Sequence, residues 1–201
     1  MARHIELHAE ERLTLADLAG HSGISPYQLQ RRFKQAFGIS PKVYQDAVRL
    51  RRFKLGLQQG DGVTDAIFAA GFGSTSRIYG EPARNLGMAP RAYRAGGEGE
   101  VIAHACRETV LGTMVMAATD KGVCFVAFGD DEGRLTEKLR EEFPEARLET
   151  SPAQDAPLLD AWIEALDDHL GHRGPICPWT YVAPPSRWRC GGFCLACRTA
   201  R

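Results

Sequence analysis

Six cysteines and six histidines are the side chains of this 201-residue sequence most able to do covalent or metal chemistry. A nucleophilic thiol needs a neighbour that lowers its pKa, most often a histidine. Cys106 and Cys124 have none, and both lie in apolar, strand-like runs where a cysteine serves as a small buried hydrophobe. His4, His8, His21, His104, His169 and His172 form neither a ligand set nor a nucleophile–base pair by their spacing. Cys194 and Cys197 have the spacing of one zinc knuckle, which Cys177 and Cys190 could complete. Such sites use two paired knuckles, however, and no second C-x-x-C is present. The expectation is no catalytic residue, no metal and no cofactor. What remains are side chains that recognise rather than react. Gln28, Gln30, Arg31, Arg32, Lys34 and Gln35 crowd one short stretch with N–H donors suited to a polyanion.

Two similar helical units must hold those donors. Shifting the sequence by 49 residues lays Gly38-Ile39-Ser40-Pro41-Lys42-Val43-Tyr44 on Gly87-Met88-Ala89-Pro90-Arg91-Ala92-Tyr93. The same shift matches Leu18 with Ile67, Ser25 with Ser74, Leu29 with Ile78 and Phe37 with Leu86. In the first unit Thr14 caps a short helix from Leu15 to about Gly20, with Asp17 as capping-box partner. After a His21-Ser22-Gly23 turn, Ser25 caps a second helix, with Pro26 in its first position and Gln28 closing the box. Ile24 and Leu29 stand where a hydrophobic staple needs them. Leu29, Phe33 and Phe37 recur every four residues as the buried stripe, and Gly38 ends the helix. The pattern is a helix-turn-helix with a polar, basic outer face. Ser40-Pro41 opens a longer helix to about Gln59, roughly 28 Å of rod. That length suits two reading heads placed in major-groove segments about 34 Å apart. The second unit runs from Thr64 to Ala70, turns at Gly71-Phe72-Gly73, and restarts after Ser74. Pro82, with Gly80 nearby, should kink or shorten its second helix. Phe33, Phe37, Tyr44, Leu50, Phe53, Ile67, Phe68, Phe72 and Tyr93 are expected in the core.

The runs from Leu15-Ala16-Asp17-Leu18-Ala19 to Gly38-Ile39-Ser40-Pro41, then Ala70-Gly71-Phe72-Gly73-Ser74 and Gly87-Met88-Ala89-Pro90-Arg91-Ala92-Tyr93-Arg94, resemble the AraC/XylS DNA-binding domain. The resemblance covers about residues 2–95 and implies that both second helices enter the major groove of double-stranded DNA. Carried over by position, the DNA-facing residues are Tyr27, Gln28, Gln30, Arg31 and Arg32 in the first unit. In the second unit they are Thr75, Ser76, Arg77 and Glu81. Arg and Gln can make bidentate contacts to base edges, and Ser or Thr hydroxyls can bind phosphates. The charge agrees. Residues 1–97 carry 14 basic against 8 acidic side chains, residues 98–172 carry 6 against 17, and residues 173–201 carry five arginines and no acid. Neither an apolar leader nor a run long enough to span a membrane is present, so a cytoplasmic, nucleoid-associated protein is expected.

Gly96-Gly97-Glu98-Gly99-Glu100 reads as a linker. Beyond it, Val101–Cys106, Val110–Ala118 and Gly122–Phe128 read as strands. Leu135, Leu139 and Phe143 mark one amphipathic helix, and Leu158, Leu159, Trp162, Ile163, Leu166 and Leu170 mark another. The run from Leu111 to Cys124 resembles the ribonuclease-like domain of Ada-type proteins, in which an AraC-like module precedes it and a methyltransferase domain for O6-alkylguanine follows. The resemblance then covers residues 2–172. It implies a mainly α double helix-turn-helix domain (1–97) followed by a small α+β, ribonuclease-H-like domain (98–172). It also implies a transcriptional regulator with RNA polymerase as partner, or a methylated-DNA–protein-cysteine S-methyltransferase. The Pro-Cys-His-Arg motif that the second activity needs does not occur in the sequence, which favours the regulator.

Residues 174–201 hold four of the six cysteines and two of the three tryptophans but no Asp, Glu or Lys, and show no periodicity. Allowed codons read one nucleotide back permit an Asp-Val-Arg-Gly-Thr-x-Phe-Gln stretch followed by Val-Trp, which resembles the Ada-type entry into the methyltransferase domain. The expectation for 173–201 is an out-of-frame, disordered tail.

Overall fold

The computed structural model describes residues 1–73, 86–109, 111–150, 159, 161–163 and 166. Among the described residues six helices come first: α1 (Ala2–Leu7), α2 (Leu15–Ser22), α3 (Pro26–Phe37), α4 (Pro41–Gln58), α5 (Val63–Ala69) and α6 (Pro90–Arg94). Their starts follow from local chemistry. Thr14 and Asp17 form the expected capping box on α2, and Ser25 and Gln28 form one on α3, with Pro26 in the first turn. Gly38 ends α3 in the left-handed conformation, φ 74°. Ser40 caps α4 through a hydrogen bond from the Val43 amide.

Ile5, Ala9, Leu18, Ala19, Leu29, Phe33, Ile39, Tyr44 and Val48 close a core between α1, α2, α3 and the first half of α4. Phe33 stacks near Phe37, with ring centroids 4.5 Å apart, and meets Tyr44 edge-on at 5.5 Å. Phe37, in the last turn of α3, is half-buried and packs against this core as expected. One core expectation needs correction. Phe68 is 56% exposed: Val63, Ala66 and Ile67 form the inward stripe of α5, and Phe68 falls about 100° round the helix from Ile67. That helix also starts one residue early, at Val63 after Gly62, and lacks a side-chain cap.

A four-stranded sheet follows in the order β3-β2-β1-β4, from β1 (Val101–Thr109), β2 (Gly112–Thr119), β3 (Gly122–Gly129) and β4 (Arg147–Thr150). Helix α7 (Glu132–Glu142), capped by Asp131, lies between β3 and β4. β1–β2 and β2–β3 are antiparallel hairpins, whereas β4 runs parallel to β1. The first hairpin turns later than expected, so β1 extends to Thr109 and β2 begins at Gly112 rather than Val110. The fourth strand was unforeseen. Arg147-Leu148-Glu149-Thr150 has too few apolar residues to signal a strand, and only its pairing with Val101–His104 makes it one.

β2 is buried on both faces. Val115 and Ala117 face a core shared with Leu135, Leu139 and Phe143, the helix residues expected to be apolar anchors. Met114, Met116 and Ala118 face Leu159, Ile163 and Leu166, which are buried and helical as their spacing predicts. Leu158 and Leu170 of that second stripe lie outside the described residues, as does the whole of 173–201. No helix among the described residues is long and apolar enough to cross a membrane.

Candidate nucleic-acid interface

α3 turns Leu29 and Phe33 inward and leaves Tyr27, Gln28, Gln30, Arg31 and Arg32 all exposed, Tyr27 at 73%. At about 100° per residue, Tyr27, Arg31 and Lys34 fall on one stripe opposite the core. Gln28 and Arg32 flank it on one side and Gln30 on the other. Lys34 was recognised from the sequence only as an outer residue. Its place on the stripe marks it as a contact candidate of the same rank as Arg31. No ion pair among the described residues engages Arg31 or Arg32.

Two of the glutamines have further roles. The Gln28 carbonyl oxygen accepts from the Ser25 amide at 3.4 Å, so this side chain is held at the helix start with its NH₂ group outward. Gln30 borders a cavity of about 290 Å³ between α1, α2, α3 and α4, together with Leu15, Ser40 and Lys42.

Beneath the first unit, α4 is tied to α1 and the loop after it. Tyr44 donates to the Glu6 carboxylate at 2.6 Å. Gln45 donates to the carbonyls of Ala9 and Glu11, and Arg49 does the same at 2.6 and 2.8 Å. Arg52 reaches the Glu6 carbonyl at 2.7 Å and pairs with the Glu10 carboxylate. Hydrogen bonding to its own backbone and to Arg52 holds the Glu10 carboxyl below the usual carboxylate range. Gln45, Arg49 and Lys54 are buried. Arg49, Arg52 and Lys54 therefore do structural work, and the basic excess of residues 1–97 overstates what faces outward.

The second unit's candidates, Thr75, Ser76, Arg77 and Glu81, lie outside the described residues, as do Ser74 and Pro82. Of the two described thiols, Cys124 is buried as expected, whereas Cys106 is only half-buried. Burial pushes both up to about 12, and the Glu132 carboxylate adds to the effect at Cys106. A thiol so raised is a poor nucleophile. Among the described residues no group of three or more His, Cys, Asp or Glu side chains could hold a metal ion.

A capped helix, a glycine turn and a second helix with an outward basic stripe define a helix-turn-helix domain of the kind that binds DNA. Comparison with known proteins agrees: residues 18–96 match the family described as "Helix-turn-helix domain". The chain is 36% identical over 140 residues to the bifunctional transcriptional activator/DNA repair enzyme Ada of Escherichia coli, covering 70% of this chain and 40% of that protein. It is 36% identical over 147 residues to the regulatory protein ada of Salmonella typhimurium, covering 73% and 42%. It is also 30% identical over 93 residues to the HTH-type transcriptional activator RhaS of Klebsiella pneumoniae, covering 46% and 34%. The chain thus spans less than half the length of these relatives. Residues 18–96 carry a helix-turn-helix domain, and the matched region is similar to the corresponding part of Ada-type proteins.

Proposed function

We propose that this chain is a sequence-specific transcriptional regulator that reads double-stranded DNA with two helix-turn-helix units in consecutive major grooves. The carrying observation is the doubly capped α2–turn–α3 unit, which directs Tyr27, Arg31 and Lys34 outward along one stripe. In this reading Gln28, Gln30, Arg31 and Arg32 address base edges and phosphates, Tyr27 packs on the sugar–phosphate backbone, and Thr75, Ser76 and Arg77 serve the second groove. RNA polymerase is the protein partner that regulation implies, and the cytoplasmic nucleoid the place. Residues 98–172 form the ribonuclease-H-like domain of an Ada-type protein. Residues 173–201 are an out-of-frame tail, and the gene tests this directly: one nucleotide back, its frame after residue 173 should run on into Pro-Cys-His-Arg.

DNA binding is tested by titrating the full chain against duplex DNA at increasing salt. If roughly six phosphates are neutralised, log K falls against log salt with a slope of about −5. Binding that ignores salt refutes the reading. The second reading, alkyl transfer from DNA to a protein cysteine, is favoured by the similarity running on into the sheet towards a relative named as a DNA repair enzyme. The raised thiols of Cys106 and Cys124 weigh against it. Incubation with O6-methylguanine DNA carrying labelled methyl separates the two, since only a methyltransferase becomes labelled.

A further inference from the structure

The segment that would carry the second unit's DNA-facing residues, 74–85, is entered just after Gly71 and left just before Gly87, and both glycines lie against foreign backbone. A Cβ on Gly71 would fall 2.3 Å from the Glu10 Cα, on the loop that Gln45, Arg49 and Arg52 fasten to α4. A Cβ on Gly87 would fall 2.6 Å from the Cys124 amide nitrogen and 2.7 Å from the Gly122 carbonyl oxygen. Gly87 therefore rests directly on the start of β3. Thr119, at the end of β2, donates its buried hydroxyl to the Gly87 carbonyl. Lys54 of α4 reaches the Cys124 carbonyl at 3.1 Å from the other side, with its ammonium 5.2 Å from the centre of the Tyr93 ring. Tyr93 in turn donates to the Glu142 carboxylate at the end of α7 and meets Phe143 edge-on at 5.4 Å.

We propose that the β2–β3 turn of the sheet is a positioning element for the second DNA-reading unit, so that the sheet region takes part in DNA recognition without touching DNA. Gly71, on the near side of that segment, rests on Glu10 of the first unit, and Gly87, on the far side, rests on Thr119 and Cys124 of the sheet. The acidic charge of residues 98–172 makes that region a poor DNA ligand, and its contribution is geometric. Displacing the turn moves the exit of the reading segment while the first unit, closed by its own core, keeps its place.

The inference rests on the two-unit reading proposed above, and the test separates the two. A duplex is selected from a random-sequence library by the full chain and footprinted, with Arg31→Ala used to mark the patch protected by the first unit. Thr119→Val, which leaves the Gly87 carbonyl unsatisfied, should weaken the other patch roughly tenfold and spare the first. Thr119→Ser, which keeps the hydroxyl, should restore it, and Gly87→Ala should weaken it further. Equal weakening of both patches by Thr119→Val, or no change in either, overturns the proposal. Should Gly87→Ala unfold the chain, the Thr119 pair decides alone. A wild-type chain that protects only one patch removes the two-unit reading itself, and this inference with it.

Discussion

The two repeats of the sequence pattern differ in how their described residues are packed. The first closes its core with α1, α2, α3 and the start of α4, and no described residue beyond Val48 belongs to it. In the second, the described apolar residues share their core with the sheet. Phe53, Leu57, Ile67, Phe72, Leu86 and Tyr93 run without a break into Ile102, Val115, Phe125, Leu139 and Phe143 of the sheet and α7. Similar local motifs can therefore have different degrees of independence, because a short amphipathic helix shows only that one face must be covered, not what covers it. The difference places the sheet in one core with the described residues of the second repeat.

The largest expected effects come from large side chains in each core. Phe53→Ala should destabilise by about 3–5 kcal/mol and unfold the sheet together with the second unit, whereas Phe33→Ala should disturb the first unit alone. Hydrogen exchange resolved by segment checks this, and uniform loss of protection in both variants would break the comparison. Next comes Arg49→Met, which leaves the Ala9 and Glu11 carbonyls without their guanidinium donor. It should cost about 2–3 kcal/mol in chemical denaturation and loosen the loop against Gly71. On the DNA side, Arg31→Ala should weaken binding by about 1–3 kcal/mol and relax specificity at one base pair. An affinity unchanged on the selected duplex would remove Arg31 from the interface. Ser25→Ala, which deletes one half of the α3 capping box, should cost about 1 kcal/mol and leave the sheet untouched.

The smallest effect is the response to mild acid. Desolvation, then the neighbouring rings of His21 and His8, lower the pKa of His4, whose ring centroid lies 4.3 and 4.6 Å from theirs. Burial lowers His104 on β1. For a histidine lowered on folding, the unfolded chain takes up the proton first. Its contribution is therefore whole above about pH 6.5 and is lost as the pH falls from there through the folded-state pKa. Urea midpoints should fall as the pH is lowered below about 6.5. His4→Gln should flatten the part carried by the first unit and His104→Gln the part carried by the sheet, and a pH-independent midpoint contradicts both assignments.

Much of the first unit was legible because its signals are local. A capping box needs only residues three apart, a helical stripe only residues four apart, and Thr14, Ser25, Leu29, Phe33 and Gly38 all behave as those spacings require. The outward row on α3 was readable for the same reason. Phe68 was misplaced because a short helix needs knowledge of its neighbours to say which apolar residue turns in. β4 was invisible because a four-residue parallel edge strand draws its identity from Val101–His104, more than forty residues earlier. The inward use of Gln45, Arg49 and Lys54 was equally hidden, since a polar side chain can be buried only where folding supplies its partners.

Sequence alone thus determined the helix starts at Thr14 and Ser25, the end of α3 at Gly38 and the outward basic stripe, because each rests on interactions within a few residues along the chain. Tertiary structure alone decided where one unit stops and the next begins. The segments differ sharply in charge and are joined by a glycine-rich stretch, which reads as a boundary between modules. Yet Gly96 and Gly97 pack against Pro144 and Ala146, and the apolar core passes across them. Charge patterning reports what the surface faces, whereas continuity of a core depends on which apolar faces meet in space, and that is settled only when the chain has folded.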